Sequence, residues 1–196
     1  MPVRFETVGL SKPILKSLEK LGFVEPTPIQ EMALLPMLEG KNVVGQAQTG
    51  SGKTLAFALP ILERVDPQLK KPQALVLAPT RELVLQISQV FWDVRPEETT
   101  LRAVPIYGGV PKETQRSSMR QGAQILIATP GRLIDFLWEG EITLDQLKIF
   151  VLDEGDRMLE MGFIDDVKFI FSCIRHKVQI GFFSHTSSSL QPTNIP

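Results

Sequence analysis

Two stretches of this sequence hold residue types that could handle phosphate and water. The first is Ala47-Gln48-Thr49-Gly50-Ser51-Gly52-Lys53-Thr54. A short apolar run, Asn42–Gly45, leads into it and an apolar helical pattern, Leu55–Leu59, leads out. The loop therefore sits between a strand and a helix start, the context a phosphate cradle needs. Gly50 and Gly52 would let backbone N–H groups turn inward around phosphate oxygens, and the helix dipole favours the same anion. Lys53 would reach the β- and γ-phosphates, and the Thr54 hydroxyl would hold Mg²⁺. Ala47 stands where the general G-x-x-x-x-G-K-[ST] pattern has glycine, so a Gly-rich surface turn remains the plain alternative. The second stretch, Ile149-Phe150-Val151-Leu152-Asp153-Glu154, is an apolar strand that ends in two carboxylates. In a phosphoryl-transfer site Asp153 would hold the Mg²⁺ and Glu154 would orient and deprotonate the attacking water. Taken alone, the pair is equally a solvated strand end with a turn at Gly155.

These residues need a framework, and the chain supplies a regular one. Strand candidates are Asn42–Gly45, Ala74–Ala78, Arg102–Tyr107, Gln124–Ala128, Lys148–Asp153 and Gln179–Phe183. Helix candidates alternate with them near Lys53–Val65, Arg81–Trp92, Pro111–Arg120, Arg132–Trp138 and Asp165–Arg175. This rhythm predicts an α/β fold: a doubly wound, mostly parallel sheet flanked by helices, with ligands at the carboxyl ends of the strands. Ser11–Leu21 and Pro28–Leu38 read as two earlier helices, each followed by a glycine (Gly22, Gly40) suited to a left-handed C-terminal cap. Residues 1–40 are expected to belong to the same domain as 41–184, with 185–196 a disordered tail rich in Ser and Pro.

Composition narrows the partners. A chain of 196 residues, 43% hydrophobic and 22% charged, suffices for one globular α/β domain. Its net charge of −1 argues against adhesion to nucleic acid by bulk charge, so such a partner needs a local site. The one cysteine, Cys173, falls in an apolar pattern and reads as a buried structural thiol. His176, between Arg175 and Lys177, reads as charge complementing a helix end, and Trp92 and Trp138 read as packing residues late in amphipathic helices. No run has signal-peptide or membrane-spanning character, so an intracellular protein with no membrane partner is expected.

Further motifs lie in order along the chain. Gly22-Phe23-Val24-Glu25-Pro26-Thr27-Pro28-Ile29-Gln30 precedes the phosphate loop, with Phe5 upstream of it. Pro79-Thr80-Arg81-Glu82-Leu83, Gly108-Gly109 and Thr129-Pro130-Gly131-Arg132 each follow a predicted strand. Together with the loop and the acidic pair, these resemble the first RecA-like domain of the DEAD-box ATP-dependent RNA helicases, from about Phe5 to Ser184. The resemblance implies that Gln30 reads the adenine edge of ATP while Phe5 stacks on the base. It implies that Gln48, Thr49, Gly50, Ser51, Gly52, Lys53 and Thr54 hold the phosphates, and that Thr54 and Asp153 hold Mg²⁺. Pro79, Thr80, Arg81, Gly108, Gly109, Thr129, Pro130, Gly131 and Arg132 then correspond to the family's RNA-backbone motifs. Thr80 and Thr129 are placed as helix N-caps, where free N–H groups suit phosphate, and Arg81 and Arg132 could add charge there. Such contacts hold a backbone without reading bases.

Two departures from the family pattern stand out. The acidic motif is Asp153-Glu154-Gly155-Asp156, with glycine where the family's name has alanine. The coupling motif is Ser184-His185-Thr186, with His185 in place of alanine; Asp156, Ser184 and Thr186 retain the family's residues. The resemblance stops there, leaving the family's second RecA-like domain, with its arginine-rich motif, outside these residues. Half an active site is therefore expected, whether the sequence is an excised piece or a short natural product. The alternatives are a catalytically incomplete nucleotide-binding regulatory module and an unrelated P-loop ATPase or kinase. The last needs neither the Phe5/Gln30 arrangement nor the Thr-Pro-Gly-Arg motif.

Overall fold

Along the central apolar runs, successive side chains must serve opposite faces, and both faces here need cover because the runs are apolar throughout. The computed structural model describes residues 3–185, and among them six strands form one sheet. These are β1 (Val43–Gln46), β2 (Ala74–Leu77), β3 (Ala103–Ile106), β4 (Ile125–Ala128), β5 (Ile149–Leu152) and β6 (Gln179–Ser184). Their order is β1-β6-β5-β2-β4-β3, and every pairing is parallel, where the sequence pattern predicts a mostly parallel sheet.

The alternation divides the core in two. Ala74 and Val76 of β2, with Ile125, Ile127, Ile149, Val151 and Phe183, pack on the side of α1 (Lys12–Lys20), α2 (Pro28–Leu38), α3 (Lys53–Arg64) and α4 (Arg81–Val94). Leu75 and Leu77, with Leu126, Ala128 and Phe150, face the side of α5 (Lys112–Arg120), α6 (Pro130–Trp138), α7 (Gly155–Glu160) and α8 (Ile164–Ser172). All four residues of β2 and of β4 are buried, as expected for strands with helices on both faces. On the first side Phe57 and Phe183 meet with ring centroids 5.2 Å apart, a contact that fixes α3, and with it the phosphate loop, against β6.

The two early helices end as the glycines predict. Gly22 (φ +78°) and Gly40 (φ +80°) take the left-handed conformation, and the N–H groups of Phe23 and Lys41 reach back to the Leu18 and Pro36 carbonyls. The sequence pattern missed α7, a helix of six residues that starts on the acidic motif itself. It placed the end of α8 three residues late; His176 lies beyond that helix and its Nε2 bonds the Leu147 carbonyl at 2.6 Å. Cys173 is half-buried rather than buried. Trp92 and Trp138 are 62% and 73% exposed, the first covered on one face by Arg95 and the second edge-on to Phe169. Among the described residues no helix is long and apolar enough to cross a membrane.

Candidate functional site

In a parallel sheet every strand delivers its carboxyl end to the same edge, where the following loops can converge. Here that edge has two adjoining halves. The strands β1, β6 and β5 carry the phosphate loop, Ser184 and the acidic pair, whereas β2, β4 and β3 carry the Thr80, Thr129 and Gly108-Gly109 loops.

In the first half, Gly50 (φ +80°) and Gly52 (φ +90°) adopt backbone conformations that side-chain-bearing residues rarely take, and Gly52 forms the N-terminus of α3. Gln48, Thr49 and Gly50 are exposed at the tip of the loop, while Ser51, Gly52 and Thr54 are half-buried. The Lys53 ammonium, buried at 9% exposure, donates to the Ala47 carbonyl and, at 3.0 Å, to that of Gln48. It thus lies across the concave side of the loop, where an anion would draw it from neutral carbonyls. The Ala47 N–H donates to the Ser184 carbonyl at 3.2 Å, tying the loop to the end of β6.

Asp153 follows β5 and is 3% exposed. Burial pushes its carboxyl up to about 6, and the Glu154 charge adds to this; Lys53 and the Glu154 N–H, bonded to Oδ1 at 3.1 Å, pull the other way. A carboxylate so poorly solvated suits a divalent cation. Among the described residues no cluster of three His, Cys, Asp or Glu could hold a metal alone, so a cation here would need ligand oxygens as well, the usual habit of Mg²⁺. Glu154 sits at φ 51°, the only non-glycine residue with positive φ among those described, and caps α7. At this strained turn its side chain is 21% exposed and lies 3.3 Å from Arg157 Nη1. Asp156 accepts from the His185 N–H at 3.1 Å, so α7 and the end of β6 are linked. Thr186 lies outside the described residues.

Gln30 and Phe5 behave differently from one another. Gln30 is 2% exposed, with Oε1 accepting from the Thr27 N–H at 2.9 Å and Nε2 donating to the Gly52 carbonyl at 3.0 Å. The sequence motif is thereby joined to the phosphate loop. Phe5 departs from the stacking expected of it: the ring is 2% exposed within the α1/α2 side of the core, and its N–H points to the Val24 carbonyl at 3.4 Å. An apolar ring beside a large core gains more from burial than from an exposed base face. Thr27 and Gln30 form a capping box at the start of α2, and the nearby Ser51 Oγ is buried without a partner among the described residues.

In the second half, Pro79 is buried and Thr80 Oγ1 accepts from the Leu83 N–H at 3.3 Å, capping α4 as predicted. Thr129 also occupies an N-cap position but its side chain makes no capping bond. Pro130, buried at the first turn, has no N–H to satisfy, which reduces what a cap is needed for. Gly131 is exposed. Arg81 is exposed and lies 5.0 Å from the centroid of Tyr107. Arg132 points inward, and both of its Nη atoms donate to the Val110 carbonyl at 3.1 Å. The sequence reading missed Tyr107 and Gln115 as neighbours of this region, because the burial of one glutamine in a polar helix is not visible along the chain.

Comparison with known proteins agrees with this placement. A family model described as DEAD/DEAH box helicase matches residues 27–193. The chain is 49% identical over 182 residues to the ATP-dependent RNA helicase DeaD of Buchnera aphidicola from Schizaphis graminum, covering 93% of this chain and 30% of that protein. It is 47% identical to the protein of the same name from Escherichia coli K12, covering 93% and 29%. It thus spans about three-tenths of the length of these relatives. A DEAD box protein from the hyperthermophile Methanococcus jannaschii superposes with a TM-score of 0.88 at 36% identity, over 95% of this chain and 51% of that one. With the glycine-bent loop before α3, a buried acidic strand end and the Thr80, Gly108-Gly109 and Thr129 loops on one sheet edge, the chain belongs to the DEAD/DEAH box helicase family.

Proposed function

We propose that this chain is the ATP-binding and RNA-backbone-binding half of an ATP-dependent RNA helicase, working with a second RecA-like domain to couple ATP hydrolysis to duplex unwinding or remodelling of RNA–protein complexes. The observation that carries this reading is the split sheet edge, with Lys53 and Asp153 at strand ends of one half and Arg81 with Gly108-Gly109 at strand ends of the other. ATP phosphates take the inward N–H groups of residues 48–54, and the Lys53 ammonium leaves the Ala47 and Gln48 carbonyls for them. Thr54 and Asp153 are the residues that would hold Mg²⁺, which supplies charge neutralisation at the terminal phosphates. Glu154 orients water and accepts its proton, and Gln30 meets the adenine edge. Thr80, Arg81, Gly108, Gly109, Thr129 and Gly131 line a sequence-independent path for RNA phosphates, consistent with N–H groups at helix starts. Asp156, Ser184 and Thr186 act as the coupling residues between ATP hydrolysis and the RNA-bound state. Residues 1–40 act as part of the same unit, since α2 delivers Gln30 to the loop.

The direct test is calorimetry of the 196-residue chain with ADP, in the presence and absence of Mg²⁺, beside anisotropy of a labelled single-stranded RNA. Micromolar to millimolar binding of both, with ADP affinity lowered by Lys53→Ala and RNA affinity untouched by it, is the expected result. ADP affinity indifferent to Lys53→Ala removes the reading.

A further inference from the structure

Helix α5 buries one side chain, and it is a glutamine: Gln115, at 4% exposure. Its amide closes on the main chain of a single residue, Tyr107. Oε1 accepts from the Tyr107 N–H at 3.3 Å, and Nε2 donates to the Tyr107 carbonyl at 2.8 Å. Tyr107 follows β3, the edge strand of the sheet, so no neighbouring strand offers partners on its outer side. The glutamine takes that place, satisfying both backbone polar groups of Tyr107 as a strand would.

Three residues later the Val110 carbonyl receives Nη1 and Nη2 of Arg132, each at 3.1 Å, from a side chain only 11% exposed. Between these anchors lie Gly108 and Gly109, both exposed, with Gly109 at φ +81°. A Cβ at Gly109 would stand 3.6 Å from Nη1 of Arg81, whose guanidinium lies over the Tyr107 ring. The loop therefore presents bare backbone to solvent while both of its ends are held by side chains from behind.

We propose that Gln115 and Arg132 are positioning residues that clamp the two ends of the Gly108-Gly109 loop, and that the Arg132 guanidinium serves this loop rather than an RNA phosphate. The inference rests on the RNA-backbone reading given above. A loop fixed in advance loses little conformational freedom when it meets a phosphate, whereas a free glycine pair loses more than any other dipeptide. Charge alone does not make the Arg132 contact: two donors of one planar fork meet one carbonyl, which an ammonium does not reproduce.

The test uses the 196-residue chain, labelled single-stranded RNA at low salt, MgADP calorimetry as a folding check, and amide hydrogen exchange over residues 107–110. Gln115→Met keeps the volume and removes both hydrogen bonds; Arg132→Lys keeps the charge and removes the fork. Each is expected to weaken RNA binding about three- to tenfold, to speed exchange at Gly108 and Gly109, and to leave MgADP affinity unchanged. Arg81→Gln serves as the control for the RNA surface. Parental RNA affinity in both clamp variants, while Arg81→Gln weakens it, overturns the clamp. Parental RNA affinity in all three variants overturns the RNA-backbone reading instead. If Gln115→Met loses MgADP affinity through misfolding, Arg132→Lys decides alone: parental RNA binding and exchange in that variant restore Arg132 to a phosphate role and sink the proposal.

Discussion

The side-chain amide of Gln30 donates to the carbonyl of Gly52 at 3.0 Å, across 22 residues of sequence. Its other end accepts from the Thr27 N–H at 2.9 Å. With a carbonyl at one end and an N–H at the other, the amide cannot flip without losing both bonds. Each polar atom still keeps one further bonding place, a lone pair on Oε1 and an N–H on Nε2.

That locked orientation predicts base choice. Adenine offers a donor at N6 and an acceptor at N7, matching the fixed amide, whereas guanine offers acceptors at both O6 and N7. ADP should therefore bind more tightly than GDP, and Gln30→Ala should weaken ADP by about 1 kcal/mol and shrink the difference. Equal affinities for the two nucleotides in the parent chain, by calorimetry, would remove the adenine role of Gln30.

Lys53→Ala and Glu154→Gln should fail in different ways. The first deletes a charge on the phosphates and should raise the Kd for ADP; the second should leave ADP binding within about twofold and abolish hydrolysis once the chain is joined to a family second domain. Single-turnover ATP hydrolysis by such a fusion checks it. A Glu154→Gln fusion that turns over at the parent rate means another group accepts the proton.

Gly155 is demanded by its neighbour rather than by its own backbone. A Cβ there would lie 2.6 Å from Cζ of Phe182, so the alanine usual in this family collides with a ring on β6. Gly155→Ala should destabilise the chain by about 1–3 kcal/mol, and adding Phe182→Leu should recover most of it. Urea unfolding of the two single variants and the double variant measures the coupling. Additive effects would show that the ring moves aside at little cost.

Asp153 should make stability depend on pH. Its folded-state value, pushed up to about 6 from an ordinary 3.8, means that folding favours the protonated form. Below about pH 4 both states are protonated and the residue costs nothing. As pH rises through 6 the folded state must ionise a buried acid, at a cost on the order of 2–3 kcal/mol. In buffer stripped of divalent cations, Asp153→Asn should therefore raise the unfolding free energy at pH 8 and not at pH 4. A gain of the same size at both pH values excludes the burial argument.

On its own, the 196-residue chain should neither hydrolyse ATP at a useful rate nor separate RNA strands. An arginine finger is worth about 10³ to 10⁵ in rate for this chemistry, and Arg157, the arginine seen against the acidic pair, is itself held by Glu154. Fusion to a family second domain should restore RNA-stimulated hydrolysis. In that fusion His185→Ala should improve strand separation, because it removes the ring while the backbone N–H of residue 185 stays on Asp156. Unwinding by the bare chain would contradict the half-site assignment.

Local chemistry was written in the sequence wherever a residue's own conformation or its near neighbours decide it. Gly50 and Gly52 were legible because only glycine is at ease at positive φ, and Thr80 because an N-cap needs nothing beyond the next turn. The strands were legible within a residue or two because apolar runs between glycines and prolines have few other uses. Strand order was not legible. That β6 runs between β1 and β5, and that the edge divides into two halves, depends on pairings between residues as distant in sequence as Val43 and Gly181. Side-chain direction was equally hidden: Phe5 turned into the core and Arg132 turned onto Val110 because burial and an unsatisfied carbonyl lay within reach, and neither is visible along the chain. Residue types state which chemistry is affordable; the packing of distant strands decides which side chains are free to perform it and which are used to hold the frame.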